Sequence, residues 1–237
     1  MDEGKRPAVG RLVALFEVLL CSDYPTQLAI GATFTAFGIR PITAAGQLSL
    51  RYVVGLSLVD TVLLVGLMLL FLRAHGERVR DVLLGTRSPL GEAEFGLPLT
   101  IGALAIGIGV MAALRLLVPS LRNVPRNPLE GLIHGRTDAA LFALVVVVAG
   151  GVREEIQRAF ILHRFDVWLG GPTVGLVVSS LAFGLGHRLQ GNDVAVATGL
   201  LGLYWAIVYV RRRSCIAPMV SHAAFNLLQL LQYVLGS

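Results

Sequence analysis

About seven stretches of this chain are apolar over lengths near 20 residues, which is what an α-helix needs to cross a hydrocarbon core ~30 Å thick. They fall at about 9–38 (broken near Pro25), 52–72, 95–118, 138–165, 173–189, 194–210 and 216–235. A chain with that many such runs has few choices. In lipid every backbone N–H and C=O must be satisfied internally, so runs of this length predict a helix bundle. Composition agrees. Hydrophobic types make up 55% of residues and charged types 15%, against ~25% charged in a soluble domain. Mean hydropathy is +0.73. The expected fold is all-α, a polytopic bundle of about seven transmembrane helices, forming one membrane-embedded domain over residues 1–237.

The segment between the third and fourth runs, PSLRNVPRNPLEGLIHGRTD, is rich in Pro, Asn and Gly and reads as the longest ordered loop. Residues 75–94, with GTRSPLGE, read as a second surface loop. Lys5 and Arg6 precede LVALFEVLLC, but Glu17 interrupts that run and no small-x-small cleavage site follows, so it reads as a mature first helix. Cys21 and Cys215 form neither a disulfide framework nor a metal knuckle and are expected as free thiols.

The net charge is +5. Its arginines lie between apolar runs, which suits lipid headgroups and topology setting; no aromatic-interleaved basic stripe points to nucleic acid. With seven spans, the N-terminus, the 73–94 loop, the 164–172 turn and Arg211-Arg212-Arg213 share one side, with about eleven basic residues against about six on the other. This predicts a multi-pass protein of a bacterial-type inner (plasma) membrane with a cytoplasmic N-terminus and an external C-terminus.

Ionisable residues inside spans cost roughly 2.5–3.5 kcal/mol each, so each calls for a partner or a function. The last four runs hold Glu154, Glu155, Arg158, His187, His222 and Asn226. Glu154 and Arg158 are four apart and are expected to pair on one helix face. Glu155 points about 100° away, toward another wall, and Arg153 with Gln157 makes a third polar strip. Phe183 and His187 are one turn apart in FGLGH, with Gly184 and Gly186 small enough for close helix approach. His222 and Asn226 share one face in SHAAFN. Gly150 and Gly151 should let a neighbour pack close beside the glutamates. Mutual contact satisfies all of these groups at least cost in a bilayer and converges them on one cavity.

Here the chain resembles the CPBP family, the CAAX prenyl endopeptidase and Abi bacteriocin-immunity proteins. Their pattern is Glu-Glu-x-x-x-Arg, then Phe-x-x-x-His, then His-x-x-x-Asn. Phe183 to His187 and His222 to Asn226 fit the second and third motifs, and RAFIL after the glutamates resembles the family's Arg-Gly-Phe-Leu-Leu. The resemblance covers residues 138–237, which would be the catalytic core. The first motif departs by one residue: aligning on Arg158 places Arg153 at the first glutamate, while aligning on the glutamate pair leaves Arg158 one residue early. Either Glu154 or Glu155 could therefore be the base.

The resemblance implies an intramembrane endopeptidase acting on prenylated or other membrane-bound peptides or membrane-protein substrates, with membrane lipids as surroundings. A carboxylate and His187 would activate water, His222 and Asn226 would receive the oxyanion, and Arg158 would support the second carboxylate. Glu154, His187 and His222 also match the donor types of a catalytic Zn2+ shell with an open position. The chain has no HExxH, which excludes a zincin. A non-catalytic scaffold or immunity-type protein on the same fold is the rival reading. A small transporter is disfavoured by the lack of an inverted repeat.

Overall fold

The computed structural model describes residues 10–125 and 127–236; the expected start of the first span, at position 9, and Lys5 and Arg6 lie outside them. Among these residues the protein is all-helical, with a single isolated bridge, Ile42 to Leu48, in place of any strand. The order is α1 (Arg11–Leu20), α2 (Tyr24–Ala36), α3 (Leu50–Ala74), α4 (Val79–Leu83), α5 (Pro89–Leu117), α6 (Arg136–Val145), a π-helical stretch (Val146–Arg153), α7 (Glu154–Trp168), α8 (Pro172–Gly186), α9 (Asn192–Arg212) and α10 (Ile216–Gly236).

Three of these helices, α3, α5 and α9, are long and apolar enough to cross a membrane, and α1 with α2 makes a fourth if the pair counts as one span. That pair bends by 40° at Cys21–Asp23, where Asp23 takes φ 71 and Pro25 begins the second half. The break expected near Pro25 is thus made by a left-handed aspartate just before it. Residues 89–94 belong to α5 rather than to a surface loop, because Ser88 caps the helix by accepting from Gly91 N at 3.4 Å and Pro89 supplies a preset first turn. The outer face of α5 carries Leu97, Ile101 and Ile108, which are 60–70% exposed. Side chains so apolar and so open suit lipid contact.

Close packing rests on small residues. A Cβ on Gly151 would lie 2.6 Å from the Ala223 Cβ, and one on Gly96 would lie 2.7 Å from Ala217 O, so both the π stretch and α5 sit directly against α10. Gly184 likewise meets Ala195 O at 2.6 Å, which brings α8 onto α9. Gly186, expected to do the same, has open space beside it; it falls at the last turn of α8, past the contact.

Each end of the bundle is tied separately. At one end Leu83 O accepts from Cys215 N at 2.9 Å, and Val82 O accepts from Tyr209 Oη at 2.9 Å. At the other, Tyr233 Oη donates to Glu130 O at 3.0 Å, and Asn127 Nδ2 donates to Gln190 Oε1 at 3.3 Å. Both cysteines are free and buried.

Candidate active site

The rod formed by α6, the π stretch and α7 carries the two glutamates at its middle. The π stretch ends at Arg153, so α7 itself is regular from Glu154 onward. Wide turns of this kind often accompany functional sites. It does not absorb the one-residue mismatch between the glutamates and Arg158. The mismatch is met by a change of partner. Arg158 pairs with Glu155, three residues back, and not with Glu154, four back as expected. Its guanidinium lies 4.6 Å from the Phe183 ring centroid and 5.9 Å from that of Trp205, which draws it toward the interior and onto the side of Glu155.

The two glutamates consequently have different surroundings. Glu155 is 1% exposed and, besides Arg158, accepts from His222 Nδ1 at 2.8 Å. Glu154 lines a cavity of about 770 Å³, together with His187, His222 and Asn226. Its nearest polar partners are distant: Arg153 Nη2 is 3.4 Å from Oε1, and His222 Nε2 is 3.9 Å from Oε2.

Both imidazoles are fixed through Nδ1. His187, at the C-terminal cap of α8, makes its Nδ1 contact with Phe183 O at 2.8 Å. A carbonyl only accepts, so Nδ1 carries the proton and Nε2 keeps its lone pair. The Phe183 ring packs near both histidines, with centroids 4.8 Å from His187 and 6.0 Å from His222. His222 stacks on Trp205 at 3.8 Å and 17°, and Trp205 Nε1 donates to Ser221 Oγ at 3.1 Å. Asn226 Nδ2 makes a long contact to Val146 O, 3.4 Å, and sits where a Cβ on Gly150 would be 2.7 Å away.

The third strip, Arg153 with Gln157, faces the break between α1 and α2. Arg153 pairs with Asp23, and its Nη1 lies 3.5 Å from Asp60 Oδ2. Gln157 Nε2 donates to Cys21 O at 2.7 Å and Asp23 Oδ1 at 3.0 Å. Asp60 stands inside the apolar 52–72 run. Its tie to Arg153, the role of Asp23 and the stacking platform of Trp205 are not legible in the sequence, because each depends on a contact between distant segments.

The expected zinc ligands do not form a shell. Among the described residues, no three His, Cys, Asp or Glu side chains are placed to hold one metal ion. His222 commits its Nδ1 to Glu155, and His187 its Nδ1 to Phe183 O.

Residues 136–228 match the family model described as Type II CAAX prenyl endopeptidase Rce1-like. No curated protein and no solved structure matches the chain. The matched segment runs from the first residue of α6 into α10 and contains Glu154, Glu155, Arg158, His187, His222 and Asn226. The match to an Rce1-like domain of the CPBP family is thus confined to this segment, and Asp23 and Asp60 lie outside it.

Proposed function

We propose that this chain is a multi-pass intramembrane endopeptidase in which Glu154 is the general base. The observation that carries this reading is the difference between the glutamates: Glu155 is buried with Arg158 and His222 both on its Oε1, while Glu154 lines the cavity with partners no nearer than 3.4 Å. A water can fit between Glu154 and the free Nε2 of His187, donating one hydrogen to each. As the oxygen attacks the scissile carbonyl carbon, Glu154 takes the proton and the carbonyl becomes an oxyanion. Asn226 and the Nε2 edge of His222 line the same cavity to receive it. In that role His222 carries protons on both nitrogens, with Nδ1–H on Glu155. Collapse breaks the C–N bond as the proton on Glu154 passes to the leaving amine, and the product acid then gives its remaining proton to that amine, leaving a carboxylate and an ammonium. Loss of one oxyanion donor costs ~3–4 kcal/mol in comparable sites; the base contributes ~10²–10⁴-fold.

The seven-pass topology belongs to the same proposal: α1–α2, α3, α5, the α6–π–α7 rod, α8, α9 and α10 supply the passes of one embedded domain. The membrane is of the bacterial inner (plasma) type, and the substrate is a prenylated or other membrane-bound peptide. A second reading, a membrane scaffold or immunity-type protein on this fold, is favoured by one contact: Arg153 beside Glu154 ties down the carboxylate that would act as base.

A panel of prenylated and unprenylated peptides, offered to the protein in detergent, separates the two. Cleavage by wild type that is lost in Glu154→Ala, His187→Ala and His222→Asn supports the peptidase. Wild type that cuts no peptide supports the scaffold. Cleavage unaffected by all three substitutions removes the site assignment.

A further inference from the structure

Arg153 stands beside Glu154 and does not close on it. Its guanidinium is shared among three carboxylates. Nη1 donates to Asp23 Oδ1 and lies 3.5 Å from Asp60 Oδ2, while Nη2 reaches Glu154 Oε1 only at 3.4 Å. Arginine and a carboxylate pair most strongly through two parallel N–H···O bonds. Glu154 receives one long contact instead. Arg153 Nε, the group that would complete a fork with Nη2, is buried and has no hydrogen-bond partner among the described residues. The guanidinium is drawn toward the aspartates.

Both aspartates come from helices outside the Rce1-like segment. Asp23 sits at the break between α1 and α2, and Gln157 holds that break in place through Cys21 O and Asp23 Oδ1. Asp60 is in α3 and is 1% exposed. A buried acid is costly unless it is paired, and the cation beside both acids is Arg153, itself 6% exposed. Resting on the assignment of Glu154 as general base, we propose that Asp23 and Asp60 are positioning residues: they hold the Arg153 guanidinium on their own side and keep it from neutralising Glu154, which stays free to hold water. The N-terminal helices thereby act on the chemistry through Arg153. The arginine contact that favours the scaffold reading is held off by two acidic counterweights.

Asp23→Asn removes the charge and little else. Asparagine accepts the positive φ of 71 as aspartate does, and it keeps an oxygen for Gln157. Arg153 is then expected to close on Glu154. Full-length variants in detergent are treated at one fixed pH with dicyclohexylcarbodiimide, an apolar reagent for carboxyl groups that are not ion-paired, and modification of Glu154 is read by mass spectrometry. Wild type should be modified, Asp23→Asn several-fold less, and Asp23→Asn combined with Arg153→Gln at least as much as wild type. Equal modification of all three overturns the proposal. The label reads Glu154 whether or not any peptide is cut, so failure of the peptidase reading leaves this result standing. Where peptides are cut, kcat should fall by ~10-fold in Asp23→Asn with KM unchanged, part of the ~10²–10⁴-fold that a general base supplies. It should recover in the double variant. A merely structural tie predicts no recovery, and a double variant slower than Asp23→Asn overturns the proposal. Asp60→Asn, alone and with Arg153→Gln, makes the same comparison through the longer contact, with smaller changes, and decides the matter if Asp23→Asn does not fold.

Discussion

Helix α7 carries two clusters of charge that look alike in composition and differ in one respect. Near its C-terminal end, Arg164 is 0% exposed and bridges Glu17 and Glu77, with N···O distances of 2.6 and 2.5 Å. His75 Nε2 meets Glu17 at 2.5 Å and His163 Nε2 meets Glu77 at 3.0 Å, so all four carboxylate oxygens have a close partner. At its N-terminal end, Glu154 has an arginine and a histidine nearby as well, but at 3.4 and 3.9 Å, and it faces a cavity. The first cluster is closed and ties α1 and the end of α3 to α7. The second leaves a carboxylate free to hold water. Ionisable residues in a bundle therefore do not mark a site by themselves; an unsaturated one on a cavity wall does.

Breaking each cluster should separate catalysis from stability. The largest effect is expected from Glu154→Gln, with a loss of roughly 10²–10⁴-fold in kcat for a missing general base and an unfolding temperature in detergent equal to that of wild type. Arg164→Met leaves the buried Glu17 and the half-buried Glu77 without their shared cation, and breaking a buried pair costs ~3–5 kcal/mol. Thermal unfolding should report that loss, while cleavage per folded molecule holds.

Smaller changes sharpen the contrast. Gly151→Val pushes a side chain into Ala223, an overpacking of ~1–3 kcal/mol. Because Ala223 shares its helix with His222 and Asn226, activity per folded molecule should fall too. An unchanged rate would mean that the π stretch does not set the position of α10. The smallest effect concerns Glu77, in the connection after α3. Burial alone would raise its pKa, but hydrogen bonds from His163 and Arg164 outweigh burial and hold it below the usual carboxylate range. A depressed folded pKa adds stability that is present above the unfolded value of ~4.3 and is lost as pH falls through the folded one. Glu77→Gln should flatten that acid limb of unfolding temperature against pH; a limb of wild-type slope would place the titration elsewhere.

Much of this architecture is legible in the apolar runs. The helical rods follow the stretches read from hydropathy, and the ordered polar motifs sit on α7, α8 and α10 around one cavity. Three things were not legible. The extension of α5 back to Pro89 was hidden by turn-like residues, although Ser88 followed by Pro89 is a cap signal in its own right. The partner of Arg158 depends on where Phe183 and Trp205 lie, and these come from two other helices. The Asp23 and Asp60 contacts to Arg153 join segments far apart in the chain and depend on a left-handed residue at a helix break, which no periodicity reveals.

On the proposed peptidase reading the two adjacent glutamates divide the work, Glu154 for chemistry and Glu155 for holding Arg158 and His222. Peptide cleavage rate and unfolding temperature, measured side by side for Glu154→Gln and Glu155→Gln, test it most directly. Glu154→Gln should keep the wild-type unfolding temperature and lose cleavage, while Glu155→Gln should unfold at lower temperature because Arg158 is left buried and unpaired. A Glu154→Gln protein that cleaves at the wild-type rate would contradict it.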